Sequence, residues 1–369
     1  MDKQFYLKLT EDDLIYVSLS GDEKGLPILL FHGGPGDGSG KSSLNFFSKE
    51  NFLIQFDQRG AGKSQKLKGD ILENNNTLEL ANDAIKILDF LGLESAIFYG
   101  SSWGSTLALY TACTYPERCR GLILKSVFLA DNKQGEWVYE NGGASTFYPD
   151  EYKKFCDFLE QYRQNGENNR QVMQKLILRH DEYAYQLASV INTYELSLLA
   201  PIDLLEYWSK EDMGSDNKDD FEDENESQAD LNIYTYVNNY KKDEIITQNM
   251  NRSFVGNCHL PEYTFLDNLY RQVRISLHYA ASNYFIQEES IVRKIEKLRA
   301  DIKNKFINIP SLIIHGRIDM LCPIYAAYEL NRILPNSDLH IIPYGSHYSV
   351  AEVELEDVSR TIEAYLKNI

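Results

Sequence analysis

The stretch Gly100-Ser101-Ser102-Trp103-Gly104 decides the fold, because a strand-like run leads into it and a helical pattern leads out of it. The run before it is apolar (96–99), and apolar residues recur at helical spacing after it (105–112). A serine with glycine two residues before and two residues after it is typical of a tight strand-to-helix turn that presents a nucleophilic hydroxyl. Ser102 has this spacing, and we expect it to be a nucleophile. The alternative is a glycine–serine turn without chemistry.

A glycine-rich segment, His32-Gly33-Gly34-Pro35-Gly36, follows the apolar run 27–31. Glycines at the end of a strand let backbone N–H groups turn toward a ligand with no side chain in the way. Acyl transfer through a serine needs such donors for the oxyanion. We predict that the backbone N–H groups of Gly34 and Trp103 form this oxyanion hole, with Gly33 as the less favoured alternative to Gly34.

Two later loops supply the acid and the base that an activated serine requires. Asp319 follows the apolar run 311–315, and His347 follows the run 339–343. The chain order serine, acid, histidine is that of α/β-hydrolases, and the carboxyl ends of parallel strands share one edge of a sheet. We predict that His347 takes the proton of Ser102 while Asp319 orients the imidazole. His315 and His340 lie within apolar runs and are expected to pack, and His32 is expected to have a structural role in its loop.

The alternation of strand-like and helical patterns predicts an α/β fold, with a mostly parallel sheet between helices in an α/β-hydrolase core. Strands are predicted at 27–31, 52–56, 96–99 and 121–127, and a helix is predicted from a cap at Asn76 to a stop at Gly92. From about 132 onward the pattern is helical and rich in aromatic residues. We therefore divide the chain into a first part of the core (1–131), an inserted helical cap (132–295) and a second part of the core (296–369).

The net charge of −18 is concentrated in one segment, since residues 211–230 hold ten acidic residues and one lysine. Such a composition is typical of a solvated insertion in the cap, and the alternative is a docking segment for cationic substrates. The acidic balance argues against nucleic-acid binding. No run of about 18 apolar residues indicates a membrane span. The five cysteines form no C-x-x-C pair, which favours reduced thiols and a cytoplasmic location.

Several motifs in order resemble the proline iminopeptidase family of serine α/β-hydrolases. They are the glycine-rich loop at 32–36, the run F-D-Q-R-G-x-G-x-S at 56–64, the serine turn at 100–109, Y-P-E-R at 115–118, G-R-x-D-M-x-C-P at 316–323 and G-x-H at 345–347. The resemblance implies release of an N-terminal proline from short peptides, without a metal or an organic cofactor.

The resemblance also implies a site for the substrate's α-ammonium group. Glu195 falls on one of two family glutamates that hold this group. Ser276 stands where the second glutamate is expected, so one carboxylate is missing unless another acid, such as Glu288 or Glu289, replaces it.

The sequence is therefore compatible with three functions. The first is a serine aminopeptidase acting on small peptides with a free N-terminus, proline being the first candidate for the released residue. The second is an esterase or amidase for uncharged small acyl groups, which the serine at position 276 favours. The third is a catalytically silent binding module that docks through the acidic segment. The oligomeric state is not indicated by any pattern in the chain.

Overall fold

A computed structural model describes residues 2–199, 232–235, 253–257, 263–286, 290–301, 303–348 and 352–369. The acidic segment 211–230 and the two glutamates at 288 and 289 lie outside the described residues. In this part of the chain, no helix is long and apolar enough to cross a membrane.

The strands are β1 Asp2–Lys8, β2 Asp13–Gly21, β3 Pro27–Phe31, β4 Phe52–Phe56, β5 Gln65–Lys66, β6 Ala96–Ser102, β7 Cys119–Val127, β8 Asn232–Thr235, β9 Ser253–Asn257, β10 Ser311–Gly316 and β11 Ser337–Ile342. The helices are α1 Thr77–Phe90, α2 Trp103–Thr114, α3 Asn132–Tyr139, α4 Pro149–Glu160, α5 Asn169–Ile177, α6 Glu182–Leu199, α7 Phe265–Ala281, α8 Ile291–Ala300, α9 Tyr325–Ile333 and α10 Glu352–Leu366.

The sheet has the order β11-β10-β7-β6-β3-β4-β2-β1-β8-β9, with β5 paired to β2. The six strands from β11 to β4 are parallel to one another. Strands β2 and β1 continue the sheet in antiparallel pairs. The predicted α/β class with a mostly parallel sheet is therefore confirmed. Because β6 pairs with β3 and β7 near the middle of the order, the loops that follow these two strands flank the turn after β6. The loop after β10 lies one strand further along the same edge.

Helix α1 begins where the sequence predicted. The side chain of Asn76 accepts a hydrogen bond from the backbone N–H of Glu79 at 3.0 Å, which satisfies one of the free donors of the first turn. The helix ends at Phe90, and Gly92 follows with φ +71°.

The buried apolar residues form separate clusters in the core and in the helices above it. The largest cluster joins the sheet to α1, α2 and α9, and a second one lies among α4, α5, α6 and α7. Ile291 and Ile295 of α8 belong to the first cluster, so the predicted cap boundary at 295 falls inside a helix that packs on the core. The segment predicted as helical also contains β8 and β9, and β8 pairs with β1. The three-part division remains a prediction.

Candidate active site

Ser102 sits in a strained turn between β6 and α2. Its φ of 56° and ψ of −129° are rare for a residue with a side chain. The flanking glycines are required by close backbone contacts. A Cβ on Gly104 would lie 2.0 Å from the carbonyl oxygen of Phe31, and one on Gly100 would lie 2.0 Å from the carbonyl oxygen of Gly104. The turn thus packs against the end of β3 as closely as only glycine allows.

Asp319 and His347 lie together on the loops that follow β10 and β11. The Nδ1 atom of His347 is 2.9 Å from Oδ2 and 3.0 Å from Oδ1 of Asp319. The backbone N–H groups of Leu321 and Cys322 donate to Oδ1 of the same carboxylate, at 3.0 and 2.7 Å. Burial alone would raise the pKa of Asp319, but the imidazole beside it holds this pKa below its ordinary value. The carboxylate is therefore ionised and fixes the protonated nitrogen of the imidazole as Nδ1.

Two side chains of β7 hold the loop that carries His347. The carbonyl oxygen of His347 accepts hydrogen bonds from Lys125 Nζ and Ser126 Oγ, both at 3.0 Å. Burial lowers the pKa of Lys125 to about 8 even though Asp319 is near. His315 is buried as expected, and its two ring nitrogens contact the backbone of Val127 and Cys322. His340, in contrast, is half-buried and pairs with Asp357 at 2.8 Å.

Gly34 and Gly33 lie beside the serine turn. Gly34 has φ +104°, and a Cβ on Gly33 would lie 3.5 Å from Cβ of Ser102. The N–H of Trp103 is the first of α2 and so has no acceptor within its helix. His32 shapes the loop, because its Nε2 accepts from the backbone N–H of Gln58 at 2.9 Å and its Nδ1 lies 2.9 Å from the carbonyl oxygen of Gly33.

A cavity of about 110 Å³ opens between this loop edge and the cap helices. Its wall includes Gly34, Ser102 and Cys322 from the core, and Tyr139 and Glu195 from the cap. Typical pockets for drug-sized ligands have about 300–1,000 Å³. The smaller space here favours a small acyl group at Ser102.

Glu195 projects into this cavity from α6. It accepts a hydrogen bond from the hydroxyl of Tyr139. Burial raises the pKa of Glu195 to about 7, and the neighbouring carboxylate of Asp37 contributes in the same direction. A positively charged ligand in the cavity would therefore stabilise the ionised form of Glu195.

Asp37, Gln272 and Tyr139 also line the cavity, and none of them was predicted from the sequence as a site residue. Asp37 directly follows the glycine-rich segment, and its Oδ1 accepts from Gln272 Nε2 at 2.6 Å. Its place next to that segment was the available signal. Gln272 lies on α7 and Tyr139 on α3, and nothing in the local sequence showed that either would face the cavity.

Asp319, Cys322 and His347 are the one group of described side chains close enough to share a metal ion, with donor atoms within 4.8 Å of one another. Asp319 is already used by His347 and two backbone amides. Burial raises the pKa of the Cys322 thiol well above its ordinary value, which opposes the thiolate that a metal requires. The arrangement suits proton transfer better than metal binding.

The structure thus brings the predicted residues to one edge of the sheet. Ser102 and Cys322 line the same cavity, and Cys322 adjoins both Asp319 and His347. Gly34 and Glu195 form other parts of the wall. The catalytic and binding roles of these residues remain predictions.

Comparison with known proteins places residues 27–352 in the family described as alpha/beta hydrolase fold. A proline iminopeptidase from Arabidopsis thaliana is 29% identical over 92% of this chain and 74% of its own. One from Neisseria meningitidis serogroup B is 28% identical over 92% of this chain and 89% of its own. The resemblance seen in the sequence is therefore confirmed.

Solved structures share the fold at low identity. A haloalkane dehalogenase loop variant from Bradyrhizobium elkanii has a TM-score of 0.56 at 15% identity, covering 100% of this chain and 97% of that one. A proline iminopeptidase-related protein from Thermus thermophilus has a TM-score of 0.54 at 15% identity, with both chains covered completely. These structures support the fold and nothing finer.

Proposed function

The chain belongs to the alpha/beta hydrolase family, and we propose that it is a serine aminopeptidase that releases an N-terminal residue, proline first among the candidates, from small peptides. The observation that carries the proposal is a carboxylate, Glu195, in the same small cavity as Ser102. A substrate with a free N-terminus bears its positive charge next to the carbonyl that is attacked. The name shared by the curated relatives supports the choice of proline.

In the proposed reaction, Ser102 Oγ attacks the carbonyl carbon of the first residue. The Nε2 atom of His347 takes the hydroxyl proton, since Nδ1 is held by Asp319. The N–H groups of Gly34 and Trp103 hold the oxyanion. The intermediate collapses when His347 returns the proton to the leaving amine. Water, activated by the same imidazole, then hydrolyses the ester bond to Ser102 and frees the amino acid.

A panel of anilides and esters tests this function. Prolyl, alanyl and leucyl anilides would be compared with acetyl and butyryl esters for wild type and for Ser102→Ala. We expect the prolyl anilide to have the highest kcat/KM, and Ser102→Ala to lower it by about 10⁴-fold or more. Turnover of esters alone would support the second candidate, an esterase, which the small hydroxyl of Ser276 in the cavity wall favours. No turnover of any compound would contradict both.

A further inference from the structure

We propose that Asp37 is a second carboxylate for the substrate's α-ammonium group, in the place of the glutamate that the resemblance implies at Ser276. The proposal rests on the proposed aminopeptidase function and names a residue that determines its preference for a free N-terminus. Asp37 lies on the loop after β3, whereas Ser276 lies on α7.

Helix α7 connects the two positions. Gln272 and Ser276 are four residues apart, one helical turn, and both line the cavity. Gln272 donates a hydrogen bond of 2.6 Å to Asp37 Oδ1. Helix α7 has no acidic side chain at position 276. Through Gln272, however, it holds the carboxylate of Asp37 at the same cavity.

Asp37 is close to the reacting hydroxyl. A Cβ placed on Gly33 would lie 3.1 Å from Asp37 Oδ2 and 3.5 Å from Ser102 Cβ, so the carboxylate and the serine flank the same small space. The amine nitrogen of an N-terminal residue is bonded to the carbon next to the scissile carbonyl. A substrate attacked by Ser102 must therefore place its ammonium group in this region.

The charges around this space are unbalanced without a cation. The negative charge of Asp37 raises the pKa of Glu195, and both carboxylates raise the pKa of Tyr348. Neither carboxylate forms an ion pair with a lysine or an arginine of the described residues. Asp37 is exposed to solvent and lines the cavity, so a substrate's ammonium group can reach its carboxylate. A bound ammonium group would compensate both carboxylates.

The same geometry disfavours uncharged substrates. The oxyanion formed at the carbonyl carries negative charge, and a carboxylate beside it raises the energy of that charge unless a cation lies between them. Removal of the Asp37 charge should therefore affect aminoacyl and neutral acyl substrates in opposite directions.

The activity test compares Asp37→Asn with wild type on prolyl anilide and on acetyl ester. We expect the ratio of the two kcat/KM values to fall by about 10- to 100-fold, the effect of one hydrogen bond to a charged group, while ester hydrolysis rises. Addition of Ser276→Glu to Asp37→Asn should recover part of the lost ratio. Asp338→Asn, on the exposed side of β11, removes the same charge elsewhere and should leave the ratio unchanged. A ratio within threefold of wild type for Asp37→Asn would overturn the proposal.

A binding test separates this proposal from the proposed function. Titration of Ser102→Ala with L-prolinamide measures cation binding without turnover, and N-acetyl-L-prolinamide is the neutral control. We expect Asp37→Asn to weaken prolinamide binding at least tenfold and so to reduce the preference for prolinamide over the neutral control, with the remaining preference due to Glu195. If prolinamide binding depends on Asp37 but the wild-type protein does not hydrolyse anilides, the proposed aminopeptidase activity is refuted and the role of Asp37 in binding the cation stands. Binding that is equal with and without Asp37 would refute the role of Asp37.

Discussion

Among the site residues, Glu195 should have the clearest effect on the pH dependence of activity. Burial raises its pKa to about 7. The titratable groups near it are Tyr139, Asp37, His347, Tyr194, Tyr284 and Tyr348. The carboxylate is needed in its charged form to hold an ammonium group, so kcat/KM for prolyl anilide should rise as the pH passes through about 7. The pH profile for an acetyl ester reports only the ionisations of the groups that attack the carbonyl, which both substrates need. We expect one additional ionisation in the anilide profile.

The variant Glu195→Gln is the check on this assignment. It should remove the additional ionisation and lower kcat/KM for the anilide by about 10- to 100-fold through loss of a charge-assisted contact. The measurement is kcat/KM from pH 5 to 9 for both substrates. An anilide profile that keeps its shape in the variant would show that Glu195 does not titrate with substrate binding.

Among the site residues, the sequence predicted those that directly follow the end of a strand. Ser102, Asp319 and His347 each follow a strand-like run, and parallel strands place their carboxyl ends on one edge. Asp37 was missed because its partner Gln272 lies more than 200 residues away along the chain. A contact of this kind depends on how α7 docks on the core, which no local pattern encodes.

Among the elements, the serine turn and the strand next to it form one unit. Helix α2 is buried almost throughout, and Gly104 in its first turn approaches the carbonyl oxygen of Phe31. The sequence predicted this turn because glycine is the residue that such a contact requires. Strands β1 and β2 were not predicted. Most of β2 is buried, so the regular alternation of apolar and polar residues that marks a half-exposed strand is missing.

The variant Gly104→Ala tests the contact between α2 and β3. In an exposed helix, alanine in place of glycine stabilises by about 1 kcal/mol. Here the new methyl group would lie 2.0 Å from a backbone oxygen, so we expect a loss of roughly 3 kcal/mol in the free energy of unfolding, at the upper end for overpacked sites. Gly40→Ala is the control, because the nearest atom to its Cβ is 3.7 Å away. Urea unfolding of both variants measures the difference, and equal stability would contradict the close approach.

On the scale of the whole molecule, the core and the helices above it have separate apolar clusters, and the cavity lies where they meet. The order of strands and helices in the core follows from patterns that recur along the chain. The arrangement of α3 to α7 does not, because amphipathic helices with similar patterns pack at many angles. The cap was therefore predicted as a helical segment without its packing, and its end was placed inside α8.

Burial of Glu195 in the cavity should also lower the free energy of unfolding in a pH-dependent way. The folded protein keeps a proton on Glu195 up to about pH 7, whereas an unfolded chain releases it near the ordinary value of 4.5. The ionised form is thus unfavourable in the folded state, and this cost is absent below about pH 4.5, grows as the pH rises and is complete above 7.

Glu195→Gln imitates the protonated acid and should relieve that cost. We expect the variant to be more stable than wild type by roughly 1–2 kcal/mol at pH 8 and by much less at pH 5. Denaturant midpoints at the two pH values measure the effect. A stabilisation of the same size at both would show that ionisation of Glu195 is not its source.

The proposed mechanism requires that His347 activates Ser102, and covalent trapping tests this requirement most directly. A fluorophosphonate reacts with a serine whose proton is taken by a neighbouring base, and peptide mass spectrometry locates the adduct. We predict one adduct, on Ser102, in the wild-type protein and at least 100-fold slower labelling in folded His347→Ala. Labelling at another residue, or labelling of Ser102 at the same rate without the imidazole, would contradict this mechanism.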